Sequence, residues 1–265
     1  MTAIVSHRGG AALWPENSLL AFRGTLALDV DQVEFDVRLS RDGVPVVFHD
    51  ATLVRMTGAE GPLADRTLDE LRELRLRDTG ERIPTLDETL DVLGAGAPLL
   101  RCELKSDAGA APSDALLEAT LSRLEARGLV ERTIFTTFHL PSVARLALRA
   151  PDAHGYAWLV GRACAAQLGA GLLASLAERV GLRALSLHRS ALDAHVLAAF
   201  DAAGVEVGVF GALEDEAIEK TLRLGPALLT ADRPDAALRI RERLARANGI
   251  AARDASDGDV RRGRT

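Results

Sequence analysis

Glu34 and Asp36 stand two residues apart in the run VEFDVRL, so a β-strand there carries both carboxylates on one face. An otherwise apolar strand does not bury such a pair without compensating positive charge, supplied either by a divalent metal or by side chains such as Arg8, Arg38 or Lys105. The segment LLRCELK repeats the device: Glu103 and Lys105 share a face, with Cys102 and Leu104 turned the other way. In a parallel barrel, charges at the C-terminal ends of strands converge on the mouth, where Glu34, Asp36 and Glu103 can meet around one ion. Three carboxylates favour the metal over simple ion pairing. The set offers oxygen alone, which suits Mg²⁺ or Ca²⁺, with Mn²⁺ also compatible, rather than structural zinc.

His7 ends the apolar run of VSHRGG and His49 that of VVFHD, so both should reach the same mouth as candidates for general acid and base. Arg8 and two glycines follow His7, describing a tight, cationic turn suited to an anion. His139 and His188 also end strand-like runs, whereas His154 and His195 read as structural or surface residues.

The elements that must position these groups follow one grammar from about residue 99 onward: a short β-rich run, a polar turn, an amphipathic segment, then Gly. The spacing predicts strands over Leu99 to Leu104, Thr133 to Thr137, Gly155 to Leu159, Ala184 to Leu187, Val205 to Phe210 and Ala227 to Thr230. With Ala3 to Ser6 and Gln32 to Val37 they make eight, separated by helical patterns, which predicts an α/β protein folded as a (β/α)8 TIM barrel. A helix is predicted over Ser190 to Ala203, with Gly204 taking the left-handed turn behind it. Val44 to His49 follows the second strand too closely to be another βα unit and should fold back as a hairpin at the rim. The stretch Gly58 to Arg82 reads as a loop with one short helix around Thr67 to Leu74. One domain over residues 1–247 is expected, and residues 248–265 read as a disordered tail.

Composition narrows the functional classes. The net charge is −6 and all but two of the 32 basic residues are Arg, with no global positive field to recruit nucleic acid. Cys102 and Cys164 are the only cysteines and imply neither a disulfide framework nor a zinc site. The start, MTAIVSHRGG, has no secretory-signal pattern and no run is apolar enough to span a bilayer, so a cytoplasmic protein without stable membrane insertion is expected. The oligomeric state is not readable.

In order, HRGGAALWPENSLLAF, VEFDVRLSRDGVPVVFHD, IPTLDETLD and CELK resemble the glycerophosphodiester phosphodiesterase family, strongly over the first 105 residues; later the match is mainly in strand order and in LLTADRPD. The resemblance implies metal ligands at Glu34, Asp36 and Glu103, catalytic histidines at His7 and His49, and phosphate contacts from Arg8 and Lys105. It implies a small-molecule glycerophosphodiester substrate, hydrolysed with one divalent cation to sn-glycerol 3-phosphate and an alcohol. Pro15 to Asn17 should shape a loop and cap the helix starting near Ser18, with Asn17 within reach of the site. Where such enzymes often carry Trp and then Asn after the seventh strand, this chain has Phe210, Gly211, Ala212 and Leu213, which leaves Phe210 and His188 as candidates for the substrate pocket.

Three rivals make different demands. Phospholipase D-like action on lysophospholipids or sphingomyelin would want a membrane-docking apolar surface, for which Leu13 and Trp14 are candidates, although a lone Trp in a loop is more often packing. A metal-dependent amidohydrolase would want two histidines spaced by one residue where this chain has His7, Arg8 and Gly9. A non-catalytic ligand-binding barrel would be signalled by loss of a carboxylate or histidine, and none is missing.

Overall fold

The computed structural model describes residues 1–77, 79–106 and 111–247; the predicted tail at 248–265 lies outside them. Eight parallel strands close a barrel: β1 (Ala3–Ser6), β2 (Gln32–Leu39), β4 (Leu99–Leu104), β5 (Thr133–Thr137), β6 (Gly155–Val160), β7 (Ala184–His188), β8 (Glu206–Phe210) and β9 (Leu228–Ala231). Closure comes from β1, which pairs with β2 on one side and β9 on the other. The hairpin strand β3 (Pro45–Val47) runs antiparallel to the end of β2, pairing Val37 with Val47 and Leu39 with Pro45.

The two-residue period of the strands sorts their side chains. Val33, Phe35 and Val37 of β2 and Cys102 and Leu104 of β4 pack outward on Leu86 and Leu90 of the helix Leu86–Leu93 and Leu116 and Leu117 of the helix Asp114–Glu125. The alternate positions, Gln32, Glu34 and Asp36 with Arg101 and Glu103, are buried polar residues facing the barrel interior. A second apolar cluster joins β6 to β9 to the C-terminal helices through Trp158, Leu187, Phe200 and Val209. No helix among the described residues is long and apolar enough to cross a membrane.

Two expectations are corrected. The helix predicted from Ser190 is a 3-10 turn at Arg189–Ala191 followed by an α-helix that begins only at Ala194, because the Asp193 side chain accepts from the Val196 amide at 2.8 Å and sets the N-terminus there. The stretch Gly58 to Arg82 holds the short helix expected around Thr67 to Leu74, at Leu68–Arg72, but it and the residues just before it are better organised than a loop. Together they hold helical turns at Val54–Thr57, Leu63–Asp65 and Leu68–Arg72, and Leu53, Leu63, Leu71 and Leu76 bury against Val46 and Phe48 of the hairpin as a small core of their own. The two turns not expected, Val54–Thr57 and Leu63–Asp65, are too short for an apolar period to show.

Candidate active site

β1 ends in a 3-10 turn, His7–Gly9, in which Arg8 adopts φ 51° and Gly9 and Gly10 follow at φ 79° and 93°. The Gly9 position has no room for more: a Cβ there would lie 2.8 Å from that of Ala21. This turn aims the Arg8 amide at Glu34 Oε2, 2.8 Å away, and brings the Arg8 guanidinium Nε to 3.3 Å from Asp36 Oδ2. Across β2 and β4 the register sets Asp36 opposite Glu103. Oxygen atoms of Glu34, Asp36 and Glu103 consequently lie within 4.8 Å of one another, all three residues buried.

Side-chain cations compensate the carboxylates at some atoms and leave others without a partner. Lys105 Nζ is 2.6 Å from Glu103 Oε1 and 3.4 Å from Asp36 Oδ1, and Asn17 donates from Nδ2 to Asp36 Oδ2 at 2.8 Å. Among the described residues Glu34 Oε1, like Asp36 Oδ1, is buried with no hydrogen-bond partner, and Glu34 Oε1 has no ion pair either. An orphaned carboxylate oxygen beside two more carboxylates, in an oxygen-only set, fits a hard divalent cation.

The electrostatics follow from this crowding. Burial, reinforced by the Asp36 charge, pushes Glu34 up to about 8. Burial also raises Glu103, against the opposing pull of Lys105. Asp36, equally buried, is held below the usual carboxylate range because Lys105 and Arg8 outweigh its desolvation.

The two histidines flank the triad, each with a carboxylate behind it. His7 Nδ1 is 2.5 Å from Asp232 Oδ1, its Nε2 is 4.0 Å from Glu34, and His49 Nδ1 is 2.6 Å from Asp50 Oδ1. Their titration is driven apart. Burial would lower His7, but the Asp232 bond and the Glu34 charge raise it overall; burial lowers His49, with the cations Lys105 and Arg8 adding to the effect against Asp36. One cleft is lined by His7, Arg8, Glu34, His49, Glu103 and Lys105, with Phe138 and Phe210 on its far wall.

A sequence model described as the Glycerophosphoryl diester phosphodiesterase family matches residues 7–236, a span that begins at His7 and takes in every residue of the cleft. The chain belongs to that family. A glycerophosphodiester phosphodiesterase from Caldanaerobacter subterraneus is 34% identical over 156 residues, 57% of this chain and 63% of that protein. The chain thus spans less than two thirds of that curated relative's length. Among solved structures, a candidate glycerophosphoryl diester phosphodiesterase of Agrobacterium tumefaciens aligns with TM-score 0.88 and 31% identity, covering 92% of this chain and 99% of that one. The glycerophosphodiester phosphodiesterase of Thermotoga maritima aligns with TM-score 0.70 and 25% identity, covering 91% and 99%.

Within this family member the predicted His7, His49, Arg8, Glu34, Asp36, Glu103 and Lys105 all meet in one cleft. Phe210 lines it, whereas His188 stands behind, its ring edge-on to Phe210 at 5.6 Å and its Nδ1 turned to Ser190. His139 faces away, bonded to Ser142 at the start of the helix after β5. Helix capping falls to Ser18, which accepts from the Ala21 amide; Asn17, at φ 56°, is freed to hold Asp36. Trp14 lies on the helix Leu19–Thr25, where a Cβ at Gly24 would come within 2.5 Å of its ring. Sequence reasoning gave no role to Asp232, Asp50 or Glu16. The signals were present in TADRPD, FHD and PEN, yet Asp232 meets His7 only because β9 closes the barrel on β1.

Proposed function

We propose that the protein hydrolyses glycerophosphodiesters to sn-glycerol 3-phosphate and an alcohol, using one divalent cation, Mg²⁺ or Ca²⁺, and His7 and His49 as the acid and base pair. The observation that carries this reading is the buried oxygen-only triad set between two histidines whose proton affinities are pushed in opposite directions. Glu34, Asp36 and Glu103 hold the cation, which supplies positive charge to offset the negative charge building on the phosphoryl oxygens. Arg8 and Lys105 border the same oxygens and bind the phosphodiester anion.

His7, whose Nδ1 is engaged by Asp232, keeps Nε2 on the cleft side and its raised pKa suits it to donate a proton to the departing alcohol oxygen. His49, lowered, suits the opposite task of taking a proton from the attacking hydroxyl, whether of water or of the substrate's own glycerol. Phe138 and Phe210, edge to face at 6.2 Å, form the wall against which the alcohol portion rests.

The test is release of sn-glycerol 3-phosphate from glycerophosphocholine and glycerophosphoethanolamine in EDTA, then with Mg²⁺, Ca²⁺ or Mn²⁺ restored. Metal-restored release is expected. Undiminished release in EDTA overturns the metal assignment, and no release from folded protein with any cation overturns the activity.

A further inference from the structure

Beneath the carboxylates the barrel holds a cation that the proposed chemistry does not use. Arg101 precedes Glu103 by two residues on β4 and lies opposite Glu34 in the register with β2, so its side chain enters the interior on the same face as both. Only 3% of it is exposed. Its guanidinium donates to Gln32 Oε1 at 3.2 Å and Ser186 Oγ at 3.1 Å, both neutral, and among the described residues no carboxylate reaches ion-pair distance. The neighbouring strand is shaped around this contact: a Cβ at Gly208 would lie 2.6 Å from Ser186 Oγ.

A guanidinium buried on neutral acceptors alone is unfavourable unless a nearby field repays its desolvation. The field available is that of the triad. Arg8 and Lys105 already pair with Asp36 and Glu103, whereas among the described residues Glu34 has only His7, at 4.0 Å, as an ion-pair partner and keeps an unpartnered Oε1. Resting on the reading of the triad as a metal centre, we infer that Arg101 is a positioning residue, a fixed internal cation set beneath the triad before the divalent ion arrives. With Arg8 and Lys105 it sets three cations against the three carboxylates of the metal-loaded site, in which Glu34 has given up its proton. The loaded site then carries excess positive charge for a phosphodiester anion, while the metal binds more weakly than it would without Arg101.

The inference is tested by calorimetric titration of Mg²⁺ and Mn²⁺ into the full chain and its Arg101→Gln, Arg101→Met and Arg101→Lys variants, with melting temperatures measured in EDTA and in metal. The Gln and Met variants are expected to bind the cation on the order of tenfold more tightly, and the Lys variant to stay close to the parent, because one unit charge in a buried site changes ion affinity by about that much or more. Their metal-induced rise in Tm should exceed the parent's. Unchanged or weaker affinity, with equal loss of Tm in both states, overturns the inference and leaves Arg101 as packing. If the Gln and Met variants fold only when refolded with Mg²⁺, the inference stands; if they fold in neither condition, it falls. A parent that binds no divalent cation overturns this inference together with the metal reading beneath it, a result distinct from any difference among the variants.

Discussion

His7 Nδ1 and Asp232 Oδ1, 225 residues apart in the chain, lie 2.5 Å apart across the seam where the last strand of the barrel meets the first. The bond fixes which imidazole nitrogen faces the cleft and raises the proton affinity of the ring. Asp232→Asn removes the charge and keeps the shape. It should lower kcat by about 10², the lower end of what one general acid contributes, with little change in KM. A protonated His7 is the active form in this scheme, so activity fails as pH rises through its pKa; lowering that pKa moves the alkaline limb of the rate profile to lower pH. A profile of kcat/KM against pH for both proteins checks the shift, and an unmoved limb removes Asp232 from the mechanism.

Glu34 makes the metal-free protein sensitive to pH in an unusual direction. Its carboxyl titrates at about 8 in the folded chain, above the ordinary value of roughly 4.3, so between these values the folded state holds a proton that the unfolded state has released. Stability contributed by that proton is full below the lower value and is lost as pH rises through about 8. In EDTA the melting temperature should therefore fall between pH 5.5 and 8.5, and Glu34→Gln should flatten the slope. Binding of a divalent cation at pH 7 should release a proton, detectable by titration calorimetry in buffers of different ionisation enthalpy.

The barrel and the triad were legible because each rests on a short-range rule. Parallel strands buried on both faces read as apolar runs, and the period of two puts Glu34 with Asp36 and Glu103 with Lys105 on shared faces before any fold is known. The same period puts Arg101 on that face, yet only the closed barrel shows that its guanidinium ends on Gln32 and Ser186. Asp232 was invisible for a different reason: its contact exists only through the pairing of β9 with β1. Short-range ambiguity misplaced only the cap, which falls to Ser18 rather than to Pro15 to Asn17, while Asn17 reaches the site as expected.

Asn17 offers a direct probe of how the triad is supported. Its side-chain amide donates to Asp36 Oδ2 and its carbonyl oxygen accepts from the Asp36 amide, with both residues buried. Asn17→Ala leaves these groups unsatisfied and should cost about 1–3 kcal/mol of stability, read by urea unfolding. Because Asp36 then loses a donor to its charged form, cation affinity should change along with stability; an effect on stability alone would mean that Asn17 supports only the loop.

Arg55 ties the rim segment to the second histidine. It binds Asp50 Oδ2 through Nε at 2.6 Å and Glu16 Oε1 through Nη2 at 2.6 Å, while Asp50 holds His49 Nδ1. Although its partial burial acts the other way, the bonds from Arg55 and His49 keep the Asp50 carboxyl at about 2. A depressed carboxyl contributes stability that is present above its unfolded value of roughly 3.9 and is lost as pH falls from there through about 2. Arg55→Ala should therefore move acid unfolding to higher pH. Asp50→Asn acts on the chemistry instead. The Asp50 bond raises His49, so its loss lowers the pKa further; a base works when neutral, and the acid limb of the rate profile should move to lower pH while kcat drops by about 10². Asp50→Asn and Asp232→Asn thus shift opposite limbs of the same profile in the same direction, and a shift of the alkaline limb by Asp50→Asn would reverse the roles given to His7 and His49.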